Sequence, residues 1–487
     1  LLKSSRRQMH AEIAEILESH FSGIVETQPE LLAHHFSEAG NHMQAVRFWH
    51  LSGHRATARD ANVEAIAHCR RALDALSGSP DTSDRTAQEI SLHLALGIPM
   101  IAVRGYAAQE TREVFARARS LCLQLNKPGE YFQALYGLWG HAWMSGNNDQ
   151  ALNMAKEFLM RAEGTSDAVP LMVGHRVMGS TLLSIGEFEQ SRQHLEMSIE
   201  LSKRKDRQSL YSRYMVEPQT ASLLLLSWDL WILGYPEQAL SRVSKALDLS
   251  RQLDQPYSIA FAHYMTSVVH LLRGESRAAL ASADTSFEIS REQRFSLYVL
   301  LSRVSRGYAL GGLGEAELAR SEIRLGLADM RKAGVRYMLP MMDGWLADMT
   351  ARSGDREAAL SVIERALVGL DEVTGRSWEA ELHRQRAQIL ASLGAARAAE
   401  AEASFKKAVQ IAERQGARSF VLRAASGLAA LLHSQGRSEE ARQWIAPVYE
   451  GFREGYDTED LKRARDLLTV LSAQDNRWNG RSASVRE

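Results

Sequence analysis

Glycine recurs along this chain at a near-constant interval, and that interval dictates the architecture. Gly146, Gly186, Gly234, Gly274, Gly314, Gly354, Gly394 and Gly436 are separated by 40, 48, 40, 40, 40, 40 and 42 residues. Five residues after each glycine stands a small residue: Ala151, Ser191, Ala239, Ala279, Ala319, Ala359, Ala399 and Ala441. Seven residues before it, every copy but the first is also small: Gly179, Ser227, Ser267, Gly307, Ala347, Ala387 and Ala429. A large apolar side chain follows at thirteen residues in Leu159, Ile199, Leu247, Phe287, Leu327, Leu367 and Tyr449. The copy after Gly394 breaks that last rule by about one residue, with Val409 as its equivalent.

Each position has a physical reason. Glycine adopts the left-handed conformation that ends one helix and opens the turn to the next. In Tyr235-Pro236-Glu237, proline suits the first turn of the following helix. Small residues on both helices let an antiparallel pair approach closely where it crosses, and the large residue fills the next layer. One pair cannot bury its apolar face alone, so neighbouring pairs must stack. The pattern predicts an all-α, right-handed α-solenoid of helix pairs about 40 residues long.

Upstream the pattern is looser. Gly40 with Ala45 reads as a ninth copy, and Asp60-Ala61-Asn62 as the start of a helix over Val63–Leu76. A loop, Gly78-Ser79-Pro80-Asp81-Thr82-Ser83-Asp84, precedes helices expected near 86–102 and 108–125. The expected organisation is lead-in helices over 1–78, a superhelix over 86–472, and a tail over 473–487 without regular structure. The chain opens on Leu1 instead of Met, which suggests a piece of a longer protein.

Composition narrows the partners. Lys and Arg total 58 and Asp and Glu 59, so no net field favours nucleic acid or an anionic membrane. The densest basic run, Lys203-Arg204-Lys205-Asp206-Arg207, reads as a solvated surface. Cys69 and Cys122 fit no metal or redox spacing, which favours a reducing compartment and a cytoplasmic location. Residues 1–20 read as a polar amphipathic helix with no secretory signal. The most apolar run, Ala221–Gly234, contains Asp229 and is shorter than the ~17–25 residues of a membrane span. It reads as a buried helix.

Small at −7, glycine, and small at +5 and +12 resemble the tetratricopeptide consensus, lengthened from its usual ~34 residues. Several segments resemble the C-terminal helical region of bacterial class III adenylate/guanylate cyclase–NTPase fusion signalling proteins. They are Glu26-Thr27-Gln28-Pro29-Glu30-Leu31-Leu32-Ala33-His34-His35-Phe36, Ala61-Asn62-Val63-Glu64-Ala65-Ile66-Ala67-His68, Gly105-Tyr106-Ala107-Ala108, Leu233-Gly234-Tyr235-Pro236-Glu237-Gln238-Ala239-Leu240 and Trp378-Glu379-Ala380-Glu381-Leu382. The resemblance covers roughly residues 5–470. It implies an upstream cyclase domain, or sometimes a DNA-binding domain, then an NTPase module, then this array.

Catalytic and metal motifs are absent from the sequence. No Gly-Lys dipeptide occurs, which excludes a phosphate loop of the GxxxxGK[ST] type. No His-Glu-x-x-His and no Gly-x-Ser-x-Gly is present. His34-His35 point about 100° apart on a helix, and His263 and His270 lack an acidic third ligand. Gly311-Gly312-Leu313-Gly314 falls at a helix–helix turn, not after a strand. Glu439-Glu440 reads as a solvated pair. The expectation is a non-enzyme with no metal and no cofactor.

In tetratricopeptide arrays the first helix of each pair lines the concave face, about 13, 10, 6 and 3 residues before the turn glycine. Those positions are Tyr136, Trp143, Arg176, Trp228, Trp231, Phe261, Tyr264 and Tyr308, then Glu381, Arg384 and Arg423. An aromatic groove with a charged end suits a peptide, a protein or a small-molecule inducer. The competing reading is that these rings are core. The expected role is a sensor or scaffold regulating an upstream cyclase/NTPase module. The alternatives are a stand-alone adaptor, or the sensor region of a transcriptional activator.

Overall fold

The computed structural model describes residues 3–165, 167–202, 210 and 213–483, with side chains to 472. Among the described residues there are 24 α-helices, one 3-10 turn and no strand. The architecture is an all-α, tetratricopeptide-like helical solenoid. The basic run 203–207 lies outside the described residues. The last helix, Glu459–Ala483, reaches into the stretch expected to lack regular structure, and 484–487 lie outside the described residues.

The chain divides into two compact units. The first comprises Leu1–Ala142, Asp206–Glu217 and Arg291–Leu297; the second comprises Trp143–Lys205, Pro218–Ser290 and Tyr298–Glu487. In the first unit Leu32, Phe36, Phe48, Trp49, Leu76 and Leu92 form a core, with Phe36 stacked on Phe48 at 5.5 Å. The Phe115 ring packs where Gly97 and Gly137 leave room: a Cβ at either would lie 2.3 Å from it. The loop expected after Gly78 separates helices Asn62–Ser77 and Ser83–Arg104.

The second unit holds the regular repeats. First helices such as Ala168–Ile185, Pro218–Ile232 and Pro256–Arg273 alternate with second helices such as Phe188–Ser202, Pro236–Gln252 and Ser276–Glu292. All eight turn glycines, and Gly40 in the first unit, have φ between 76° and 109°. The small crossing residues Ser227, Ser267, Ala347, Ala387, Ala239, Ala279, Ala319 and Ala359 have no exposed surface. At the +13 positions Leu327 is fully buried, whereas Leu159, Leu247, Phe287 and Leu367 are half-buried.

One expected position is corrected. A 3-10 turn, Ala395–Arg397, follows Gly394 and delays the next helix to Ala398. Ala399 is therefore exposed, and Ala401 is the fully buried small residue of that pair. Val409 follows Ala401 by the usual eight residues and is buried, so the shift is two residues, not about one.

The repeats of the second unit also bond across long stretches of sequence. Met144 O accepts from Arg336 N at 2.8 Å and Tyr337 N at 3.2 Å, and Ser184 O from Arg376 N at 3.1 Å and Ser377 N at 3.3 Å. Trp231 O accepts from the Ser419 hydroxyl, and Leu272 O from Arg423 Nη2 at 2.8 Å. These carbonyls lie in the last turns of the helices before Gly146, Gly186, Gly234 and Gly274, where helix carbonyls run out of i+4 donors; Trp231 O also accepts from Gly234 N at 3.1 Å. The first two are reached from the turns that lead into the helices ending near Gly354 and Gly394, five glycines further on, and the third from the helix ending near Gly436. The array thus winds back on itself about every five pairs and forms a seam of four rungs.

The seam separates two classes of turn glycine. A Cβ on Gly274 would meet Glu459 Cβ at 2.6 Å, whereas one on Gly314 would meet nothing within 4 Å. Gly314→Ala should therefore cost only the left-handed backbone, about 1–2 kcal/mol. Gly274→Ala should cost measurably more in urea unfolding, because it also parts two turns of the array. Equal costs would mean that the seam is not closed in solution.

Two helices, Ser83–Arg104 and Ala168–Ile185, have the length and composition to cross a membrane; 83% of the second is buried inside the fold. The apolar helix Pro218–Ile232 is buried along its whole length.

Candidate functional site

The structure separates the expected groove residues into two groups. Tyr136, in the first unit, is buried with its hydroxyl 3.2 Å from that of Tyr106. In the second unit Trp143, Arg176, Trp228, Trp231 and Tyr264 are all buried, and Phe261 is half-buried, stacked on Tyr298 at 5.4 Å. Trp143 contacts Tyr337 at 4.6 Å, and Trp228 contacts both Tyr337 and Trp378. Phe420 packs against Trp378 at 5.0 Å and Trp231 at 5.8 Å. Tyr337, Trp378 and Phe420 come from the next turn of the array, so the winding itself fills the aromatic middle. Only about 10 Å³ stays open beside Trp228, Tyr337 and Trp378. Trp143, Trp228 and Trp231 are thus packed between turns, whereas Phe261 and Tyr264 pack on Tyr298 of the adjacent repeat.

The other group surrounds an open cavity. About 890 Å³ is lined by Tyr308, Asp348, Arg352, Glu381, Arg384 and Arg423, with Gln388, Ser426 and Asp460 among the remaining walls. That volume is within the range of small-ligand pockets. Successive first helices present these side chains on one face: Ser296–Gly312, Leu339–Arg352, Glu379–Ser392 and Arg418–Ser434. Register brings Tyr308, Glu381, Arg384 and Arg423 together as the sequence suggested. Asp348 and Gln388 occupy the same position as Tyr308, six residues before their glycines, and that signal was there to be used. Asp460 was not findable this way, because its helix belongs to no glycine-marked copy.

The charges are matched and mutually bonded. Tyr308 donates to Asp348 Oδ2 at 2.9 Å, and Arg352 reaches both oxygens of Asp348 at 3.1 and 3.0 Å. Glu381 accepts from Arg384 Nε and Nη2 at 2.9 and 2.8 Å and from Arg423 Nη1 at 3.3 Å. Burial works to raise the Glu381 pKa, but Arg384 and Arg423 outweigh it and hold the carboxyl below its usual range. Burial, and then the Asp348 carboxylate, push the Tyr308 hydroxyl up. Four arginines (Arg352, Arg384, Arg423, Arg463) face four carboxylates (Asp348, Glu381, Glu459, Asp460). A highly charged occupant would have to break these pairs. A polar, charge-balanced one would not.

No group of three His, Cys, Asp or Glu able to hold a metal is found among the described residues. His270 Nδ1 meets Glu275, whereas His263 is buried with Nδ1 unpartnered. Burial pushes His175, His263 and His383 down to about 4, helped by His194, Arg251 and Lys407 respectively. With the folded pKa below the unfolded value of 6.5, the unfolded chain binds protons first. Their stabilisation is present above about pH 6.5 and lost as pH falls toward 4. The melting temperature should fall between pH 7 and 5, and His175→Gln should flatten the fall. A flat profile in the parent chain would rule these histidines out as its cause.

Asp229 is fully buried, and burial pushes its pKa well up. Ser191 beside it already donates to Gly179 O at 2.9 Å. A raised carboxyl pKa costs stability as pH rises, so Asp229→Asn should raise the melting temperature at pH 8 more than at pH 5.

No protein-family profile matches the chain. An uncharacterized protein of Rhizobium meliloti (strain 1021) is 23% identical over 435 residues, covering 87% of this chain and 41% of its own length. The chain thus spans less than half of that curated relative. Among solved structures, a Rap protein complexed with competence and sporulation factor superposes with a TM-score of 0.54 at 14% identity. It covers 76% of this chain and 99% of that one. A signal transduction ATPase with numerous domains and a tetratricopeptide repeat sensor, from Pyrococcus horikoshii, gives a TM-score of 0.37 at 15% identity, covering 76% of this chain and 56% of that one. The likeness to the Rap protein is one of fold.

Proposed function

We propose that this chain is the non-catalytic sensor and scaffold region of a cytoplasmic signalling protein, and that the cavity between Tyr308 and Asp460 receives its ligand or partner. The carrying observation is the open, charge-matched cavity of about 890 Å³, built by consecutive first helices of the array. Tyr308 and Arg384 are the recognition residues of this reading. Trp143, Arg176, Trp228, Trp231, Phe261 and Tyr264 hold the array in the shape that forms the cavity. The occupant is a peptide, a segment of another protein, or a small polar inducer. The regulated module is an upstream cyclase/NTPase in cis, a reading supported by the sequence resemblance and by the greater length of the Rhizobium relative. Regulation requires the occupant to prefer one conformation of the array over another.

A thermal-shift screen against peptide pools, nucleotides, sugars and amino acids tests this reading. A ligand that binds only the folded state raises the melting temperature as its concentration exceeds its dissociation constant. Tyr308→Phe and Arg384→Gln should each abolish the shift of a true hit. A hit unaffected by both would place binding elsewhere on the array.

A further inference from the structure

Arg423 belongs to both the cavity and the seam, and its three guanidinium nitrogens go to three different elements. Nε reaches Asp460 at 2.7 Å, Nη1 reaches Glu381 at 3.3 Å and Nη2 reaches the Leu272 carbonyl at 2.8 Å. Its plane also lies 4.6 Å over the Trp231 ring. Glu381 and Asp460 line the cavity, whereas Leu272 ends a helix of the previous turn.

We infer that occupancy of the cavity is transmitted to the winding of the array through Arg423. This rests on the cavity being the binding site. A planar fork satisfies all three partners in one position only. An occupant that draws Glu381 or Asp460 toward itself pulls Arg423 off the Leu272 carbonyl and opens the fourth rung.

The opening has a continuous physical route. Helix Arg418–Ser434 carries Arg423, and one turn earlier Ser419, whose hydroxyl makes the third rung to Trp231 O. Just before this helix, Gln415 Nε2 donates to Arg376 O at 2.8 Å. Arg376 N and Ser377 N form the second rung with Ser184 O. A shift of one helix therefore acts on three successive rungs. An occupant that leaves Glu381 and Asp460 in place would instead lock the seam shut.

Amide hydrogen exchange on the whole chain tests this without a ligand, so failure of the binding reading is separable from failure of the transmission. Arg423→Gln should speed exchange at Arg376 and Ser377 by about tenfold or more, since those amides are protected only while the seam is closed. Arg303→Gln, which removes a pair with Asp329 away from cavity and seam, should leave them at the parent rate. Should Arg423→Gln fail to fold, Asp460→Asn removes one anchor of Arg423 and should speed the same amides. Unchanged exchange at Arg376 and Ser377 in a folded Arg423 or Asp460 variant overturns the inference. Equal acceleration in Arg303→Gln also overturns it, since the effect would then be general destabilisation.

Discussion

Trp228→Ala should destabilise the chain by about 3–5 kcal/mol, the range for removing a large aromatic from a packed interior. Trp228 is 4% exposed and touches Tyr337 and Trp378 from the next turn of the array. The cavity left by its loss would lie between two turns, where the surrounding helices cannot collapse without changing the winding. Far-ultraviolet circular dichroism in urea should show the loss as a lower midpoint. A cost below about 1 kcal/mol would mean that the ring is solvated and the aromatic groove is open after all.

Glu381→Gln should be comparably costly, about 3–5 kcal/mol, because breaking a buried ion pair leaves uncompensated charge behind. Here two guanidiniums, Arg384 and Arg423, lose their shared anion at once. The folded pKa of Glu381 is depressed, so its stabilisation is present above the unfolded carboxylate pKa and lost as pH falls below it. The variant should therefore differ most from the parent at neutral pH and least near pH 3, in unfolding followed across that range. A difference that persists undiminished in acid would assign the loss to shape, not charge.

The local design of the fold was legible because it repeats. A left-handed turn needs glycine and a close crossing needs small residues; the glycine recurs in every pair and the small residues in nearly all, so eight glycines located eight turns. The winding was not legible. Its bonds join residues such as Trp231 and Ser419, 188 positions apart in sequence, through the Arg336 amide and the Ser419 hydroxyl, which stand 18 and 17 residues before their turn glycines at positions the groove register did not use. That gap explains the fate of the aromatic positions. Register placed Trp143, Trp228 and Trp231 on the inner face, but whether that face meets solvent or the next turn depends on the pitch. At the C-terminal end the same register found Tyr308, Glu381, Arg384 and Arg423. Asp460 completes the cavity from a helix that carries no turn glycine of the series. The 3-10 turn after Gly394 shows the limit of fixed offsets, since one local insertion moved the buried small residue from Ala399 to Ala401.

On the proposed function, the array recognises its occupant through the charged cavity and not through its aromatic interior. The most direct measurement is the ligand-induced thermal shift of one hit in two variants side by side. Arg384→Gln should lose the shift, while Trp228→Ala should melt lower than the parent yet keep a shift of similar size. The opposite pattern, with recognition lost in Trp228→Ala and retained in Arg384→Gln, would contradict the claim and return the site to the aromatic seam.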